Sequence, residues 1–321
     1  VKKRRTNSIK GVKPKILVVG SSNTDMIVHV PRIPNPGETV LGGEFSTAAG
    51  GKGANQAVAA ARAGAAVTLI ACVGGDIFGQ RAVEGFVEEG IDTQHVAHSS
   101  HSPSGVALIF VSAEGQNSIA VAPGANALLS PAHVRRAAEA FRGASALLMQ
   151  LETPLHTVAD AARLAWRQRV PVILNPAPAQ NLPDALLRRV WILTPNESEA
   201  SALSGLTVRD EATAAKAAAK LRQRGASAVI ITLGERGAFV ADAQNQQLVG
   251  GFKVKAVDTT AAGDVFNGAL AVALGEGQSL LDAARFANAA AAISVTRRGA
   301  QPSAPSRREI ERLLKLEAAS R

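Results

Sequence analysis

Short apolar runs alternate with longer stretches whose apolar residues recur at helical spacing, and this rhythm holds over most of the 321-residue chain. Residues 15–20 (K-I-L-V-V-G) end in glycine and predict a buried first strand. Residues 67–73, 146–150, 170–174, 190–193 and 228–233 have the same character. Helices are predicted over about 50–63 (stopped by Gly64), 77–89 (ended by Gly90), 155–169, 197–203, 210–224 and 280–295. Ser130 caps another that starts with Pro131 and reaches about Phe141. Hairpins are expected around Glu114-Gly115, joining 105–113 to 117–121, and over 238–249. Repeated β–α alternation predicts an α/β fold with a mostly parallel sheet and helices on both faces.

Two stretches break the rhythm, about 25–48 and 104–122, both strand-rich and without helices. Residues 26–40 read as extended chain interrupted by Pro31, Pro34, Pro36 and Gly37, and 42–48 as another short extended piece. We expect them to meet as a small β-sheet lid on one edge of the main sheet. An exposed sheet face of that kind needs cover, and a second copy of the same lid would supply it, hence an expected homodimer.

Composition narrows the class. Hydrophobic residues make up 46% of the chain but aromatics only 3%, so Ala, Val and Leu must build the core. No apolar run approaches the ~20 residues of a membrane span. The single cysteine, Cys72, excludes an internal disulfide and a multi-cysteine metal site, and its apolar surroundings suggest a buried, inert thiol. The formal net charge of +9 is local: residues 1–15 carry seven basic residues and no acid, which leaves 28 basic against 26 acidic residues elsewhere. Residues 1–14 are expected to be a disordered basic tail, without the apolar core of a signal peptide. Neither zinc spacing nor an aromatic RNA-binding motif accompanies them, so no nucleic-acid partner is expected. The expected location is cytoplasmic.

The most informative stretch is D-T-T-A-A-G-D-V-F-N-G-A-L, residues 258–270. A strand-like run, 252–257, precedes it and an Ala-rich helical run follows. Small residues before a helix let an anion approach unpaired N–H groups and the positive end of the helix dipole. A carboxylate there, Asp264, can take a proton from an attacking hydroxyl. The same pattern equally describes a plain strand–turn–helix corner with an aspartate N-cap. The loop G-G-K-G-A-N-Q, residues 50–56, opens a helix without forming a Walker A or G-x-G-x-x-G motif. It suits a hydroxyl-rich ligand, or is only a flexible start to the helix. Asn23 and Asp25 follow the first strand and can bond sugar hydroxyls or form an Asx turn. Glu152, and Asn196 with Glu199, sit at further strand-to-helix corners, where a carboxylate stabilises any helix start or orients a ligand. Residues 232–237 (T-L-G-E-R-G) suit a nucleotide or are a glycine-rich turn. The six histidines show no metal spacing, and His95, His98 and His101 are expected in a solvated loop.

Together these stretches resemble the ribokinase family of carbohydrate kinases. The first signature matches at G-G-K-G-A-N-Q-A with Gly64 and Gly74, the second over residues 258–271. P-G-E-T-V (36–40), N-P-A-P-A (175–179), T-P-N-E (194–197) and V-T-R-R-G-A-Q-P-S (295–303) add to it, and only the basic head falls outside. The resemblance implies a three-layer α/β/α kinase domain over 15–315 with the lid segments inserted. It implies transfer of the ATP γ-phosphoryl to the 5-hydroxyl of ribose, or of a related sugar or nucleoside. A sugar-sensing or nucleic-acid-binding protein without catalysis is the alternative of a different class. By resemblance Asp264 is the base, and Ala262, Gly263 and Asp264 supply anion-hole N–H groups. Sugar would be held by Asn23, Thr24, Asp25, Gly51, Lys52, Gly53, Ala54, Asn55 and Glu152. ATP would be held by Asn196, Thr232, Leu233, Gly234, Glu235, Arg236, Gly237, Gly263 and Asn288, with Mg²⁺ helped by Asn196 and Glu199. A K⁺ ion would take ligands from Asp258, Thr260, Ser294, Arg297, Gly299 and Ser303. Many family members carry a glycine where this chain has Ala261, and we expect the methyl to be tolerated without a left-handed backbone.

Overall fold

The computed structural model describes residues 13–319, so the expected basic tail falls outside the described residues apart from Lys13 and Pro14. In order the elements are β1 (Lys15–Val19), β2 (Asn23–Val30), β3 (Phe45–Gly50), α1 (Lys52–Arg62), β4 (Ala66–Gly74), α2 (Ile77–Glu88), β5 (Asp92–Ser99), β6 (Gly105–Ser112) and β7 (Asn117–Ala122). There follow α3 (Pro131–Arg136), β8 (Ala146–Met149), α4 (Leu155–Gln168), β9 (Val172–Leu174), α5 (Asp184–Leu187), β10 (Ile192–Leu193), α6 (Glu197–Ser204), α7 (Glu211–Gln223) and β11 (Ala228–Thr232). The chain closes with β12 (Gly237–Ala241), β13 (Gln246–Gly250), α8 (Ala262–Gly275), α9 (Leu280–Ser294) and α10 (Arg307–Ala319).

Among the described residues, nine strands form the main sheet in the order β13-β12-β11-β10-β9-β8-β1-β4-β5. It is parallel except at β12 and β13, which run antiparallel. The period-2 alternation of the strands splits the core into two layers. Ile16, Val18, Ala146 and Leu148 face α1, α8 and α9, while Leu17, Val19, Leu147 and Met149 face α4 and α7. A second sheet, β3-β2-β6-β7, is built from the two stretches expected to form a lid. β2 pairs antiparallel with β3 and parallel with β6.

Four expectations need correction. Residues 252–257 are not a strand: this segment crosses the surface from β13 to α8, with Val254 and Val257 exposed, and Val257 N bonds Val295 O at 2.7 Å. His95 and His98 lie in β5, a parallel edge strand beside β4, and only His101 is in the turn after it. Polar β5 carries no apolar run because one long edge of it faces solvent. The helix after Ser130 ends at Arg136 and passes into a 3₁₀ turn, Ala138–Phe141. Ala261 is left-handed, with φ 58°, so its methyl is accommodated at a strained backbone position.

The approach of α1 to α8 is what positions the chemistry. Every residue of α8 from Asp264 to Ala273 is buried, as is α1 from Gly53 to Ala60. Gly268 lies one turn below Asp264 on the same face, and a Cβ there would sit 2.7 Å from Gln56 O and from Ala59 Cβ. Only the missing side chain lets the two backbones come this close. Gly268→Ala should therefore force the helices apart, lowering stability by about 1–3 kcal/mol. A denaturant midpoint equal to the parent's would contradict this.

Candidate active site

The carboxyl ends of the parallel strands converge on a cavity of ≈ 870 Å³, covered on one side by the small sheet. This is where ligands sit in open α/β sheets. Ser21 and Asn23 follow β1, Glu152 follows β8, Asn175 follows β9, Asn196 follows β10, and Thr232 ends β11. From the lid, Asp25, Ala107, Ile109, Ile119 and Val121 line the same space, because they share one face of the pleat.

Asp264 is the third residue of α8, and the N-cap position belongs to Ala261, which makes no side-chain cap. Its carboxylate instead crosses to α1: Asn55 Nδ2 donates to Oδ2 at 3.0 Å and Gln56 Nε2 donates to Oδ1 at 2.9 Å. The plain-cap reading of this corner therefore does not describe it. Burial raises the Asp264 pKa above the ordinary carboxylate range, against the pull of Lys52 and the two amides. The N–H of Ala262 turns back to Thr259 O at 3.3 Å, and an added Cβ at Gly263 would meet open space, so the helix start is accessible from the cavity.

Glu152 caps a helix other than its own. Its Oε2 accepts from Lys52 N at 2.9 Å, the first residue of α1, and from Ser21 Oγ at 2.5 Å. Gly51, with φ 89°, turns the chain into α1 at that point. Asn23 Oδ1 accepts from Asn126 Nδ2 at 2.8 Å, which leaves its amide N–H₂ for a ligand. Asn55 Oδ1 is buried with no partner. An orphaned acceptor of this kind costs stability unless a bound donor satisfies it, and a hydroxyl is such a donor.

Carboxylates crowd the cavity. Burial, then Glu152 and Asp264, push the Asp25 carboxyl up to about 6. Burial also raises Glu199. For Lys52 burial acts downward, but Asp264, Glu152, Glu199 and Asp25 outweigh it and raise the ammonium pKa.

The structure brings Asn23, Asp25, Gly51, Lys52, Asn55, Glu152, Asn196, Thr232, Thr260, Ala262, Gly263 and Asp264 to this one cavity. It places others elsewhere. Thr24 is on the opposite side of the β2 pleat, in a small recess with Thr47 and Arg81. Gly53 and Ala54 are packed inside, with Ala54 N bonding Ser21 O at 2.8 Å. Leu233 is buried, and the 3₁₀ turn Gly234–Arg236 lies beyond β11. Arg236 is ion-paired with Glu197, and Asn288 Nδ2 holds Val249 O at 2.9 Å. Glu199 does line the cavity, and it forms a capping box for α6 with Asn196.

The loops carrying Asp258–Thr260 and Ser294–Ser303 meet. Asp258 Oδ1 accepts from Thr260 N at 2.9 Å and Oδ2 from Gly299 N at 2.8 Å. Burial opposes ionisation of Asp258, but these hydrogen bonds outweigh it and hold its carboxyl below the ordinary range. Ser294 and Ser303 are buried alongside, their hydroxyls donating to Ala291 O and Ala300 O.

Sequence reasoning passed over Gln56, Asn126, Ser21, Asn175 and Gln150. The signal for Gln56 was present beside Asn55, at the start of a helix whose later turns are mostly alanine. Asn126 lies 103 residues from its partner Asn23 and had no local signal.

Comparison with known proteins identifies the family. The pfkB family carbohydrate kinase profile matches residues 13–307, and the chain belongs to that family. It is 48% identical over 298 residues to the ribokinase of Haemophilus influenzae, covering 93% of this chain and 97% of that one. It superposes on the ribokinase of Thermotoga maritima with TM-score 0.86 and 41% identity, over 94% of this chain and 99% of that one. The Arabidopsis thaliana ribokinase complexed with ribose and ATP gives TM-score 0.87 and 34% identity, over 95% and 99% of the chains.

The Asp25 value predicts a pH-dependent cost. Ionised Asp25 is disfavoured in the fold, so the penalty is absent below the unfolded pKa near 4, grows toward pH 6 and is complete above it. Asp25→Asn should stabilise the ligand-free protein at pH 8 by about 1–2 kcal/mol, allowing for solvent at this half-buried group, and by almost nothing near pH 4. Thermal melts showing the same difference at both pH values would contradict it.

Proposed function

We propose that the chain transfers the γ-phosphoryl group of ATP to the 5-hydroxyl of D-ribose, giving ribose 5-phosphate. The observation that carries this reading is a buried carboxylate, Asp264, clamped by two amides at the open start of α8 and facing a cavity lined with hydrogen-bonding side chains, Asn23, Asp25, Asn55 and Glu152 among them. The 48% identity with a ribokinase over nearly the whole chain supports the same substrate.

Phosphoryl transfer asks mainly for position and charge stabilisation. Ribose hydroxyls bond to Asn23, Asp25, Asn55 and Glu152, with the backbone of Gly51 and Lys52 close by. The 5-hydroxyl then lies against Asp264, which takes its proton as the oxygen attacks the γ-phosphorus. The raised pKa of Asp264 suits a base. N–H groups of Gly263 and Asp264, with Ala262 less well aimed, stabilise the charge on the transferring group. ATP lies along Asn196 and residues 232–237. Asn196 and Glu199 are the groups here that would help hold Mg²⁺ brought in with ATP, which would supply neutralisation of phosphate charge. Exclusion of water by the lid limits wasteful hydrolysis of ATP.

The cation reading fits the donor set at the Asp258 and Ser294–Ser303 loops, an ionised carboxylate among backbone and hydroxyl oxygens, as a hard monovalent ion requires. K⁺ there would stiffen the turn that leads into α8. The kinase domain is read as residues 15–315, with the lid inserted at about 25–48 and 104–122. The outer face of the lid exposes Phe45 and Leu108, which supports a homodimer through that sheet. Among the described residues no helix is long and apolar enough to cross a membrane, and use of ATP supports a cytoplasmic site of action.

Asp264→Asn should keep sugar and ATP binding but lose at least ~10²-fold in kcat. Near-normal turnover would reject the base. In a panel of ribose, 2-deoxyribose and fructose, ribose should give the highest kcat/KM, and a preference for another sugar would replace the substrate. K⁺ should raise the rate over Na⁺ alone, and equal rates would remove the cation site.

A further inference from the structure

At the back of the cavity lies a network of side-chain amides, of which Asn175 and Asn267 reach the cavity wall and Gln56 and Gln150 do not. Gln56 is fully buried and absent from the cavity wall, unlike its neighbour Asn55. Its Nε2 donates to Asp264 Oδ1 at 2.9 Å and to Asn175 Oδ1 at 3.1 Å. Its Oε1 accepts from Gln150 Nε2 at 2.5 Å. A flipped Gln56 amide would oppose donor to donor at Gln150 and acceptor to acceptor at Asp264, so its orientation is set. Each oxygen of Asp264 thus receives one amide N–H, and rotation of the carboxylate would break both bonds.

The same network reaches the helix start. Asn175 Nδ2 donates to Thr194 O at 3.0 Å, Thr194 Oγ1 to Asn267 Oδ1 at 2.6 Å, and Asn267 Nδ2 to Gly263 O at 2.8 Å. One connected set of buried groups therefore holds both the carboxylate and the backbone beside it. We propose that Gln56 is a positioning residue for phosphoryl transfer: it fixes the Asp264 carboxylate in the orientation that receives the hydroxyl proton, without contacting sugar or nucleotide. This rests on Asp264 acting as the base.

The test is steady-state kinetics against pH for Gln56→Met, Gln150→Met, Asp264→Asn and the Gln56→Met/Asp264→Asn double variant. Loss of a hydrogen bond to a charged group should lower kcat of Gln56→Met ~10- to 100-fold. KM for ribose and ATP should stay within ~2-fold, since no binding contact is removed. The acid limb of the kcat profile should move to higher pH, because the lost donor favoured the ionised base. Gln150→Met should move the same limb less, and it carries the test if Gln56→Met does not fold. The double variant should be no slower than Asp264→Asn. An unmoved acid limb, or a kcat loss matched by a rise in KM, assigns Gln56 to packing alone and overturns the proposal. Near-normal kcat in Asp264→Asn rejects the base itself, whereas an inactive Asp264→Asn beside a normal Gln56→Met rejects only this inference.

Discussion

The close contact of α1 with α8 is the constraint on which the site depends. Asn55 and Gln56 project from the first turns of one helix, and Asp264 from the first turn of the other. Their hydrogen bonds at 3.0 and 2.9 Å exist only because Gly268 and the alanines of α1 let the backbones approach one turn further down. The scarcity of large side chains is functional here. A bulkier core would separate the helices and leave a buried carboxylate without its donors, which is costly.

A second constraint is electrostatic. Asp25, Glu152, Glu199 and Asp264 surround one half-buried lysine, Lys52, and three of these carboxyls are shifted upward. The ligand-free protein carries this crowding as a stability cost that hydroxyl donors can relieve. Ala261 adds a smaller one: a left-handed alanine costs roughly 1–2 kcal/mol relative to an ordinary backbone. Strain of that size persists only where neighbours over-determine the conformation, and this turn is pinned by Asp258 and Thr260 on one side and by α8 on the other.

Much of this was legible in the residues. The strands of the parallel sheet showed as apolar runs, since a strand buried on both faces needs apolar side chains at every position. The helices showed through caps and glycine stops. The lid showed as two helix-free stretches, and their pairing into one sheet follows. What misled was local resemblance: residues 252–257 have strand composition but no partner edge, and β5 is a strand whose polar composition reads as a loop. Asp264 looked like a cap because caps and bases favour the same place at a helix start.

The sequence by itself determined the α/β layering, the insertion of the lid, the small-residue turn before α8 and the residue types at each strand end, because periodicity and turn chemistry are local properties. Only the tertiary structure decided which of those residues share a cavity. It turned Thr24 away while keeping Asp25, by the pleat of β2. It gave the Glu152 carboxylate to the first N–H of α1, and it joined Gln150, Gln56, Asn175, Thr194 and Asn267 behind the base. Those links span up to 119 residues of chain, and hydrogen-bond geometry over such separations is set by how helices and strands pack rather than by neighbouring sequence.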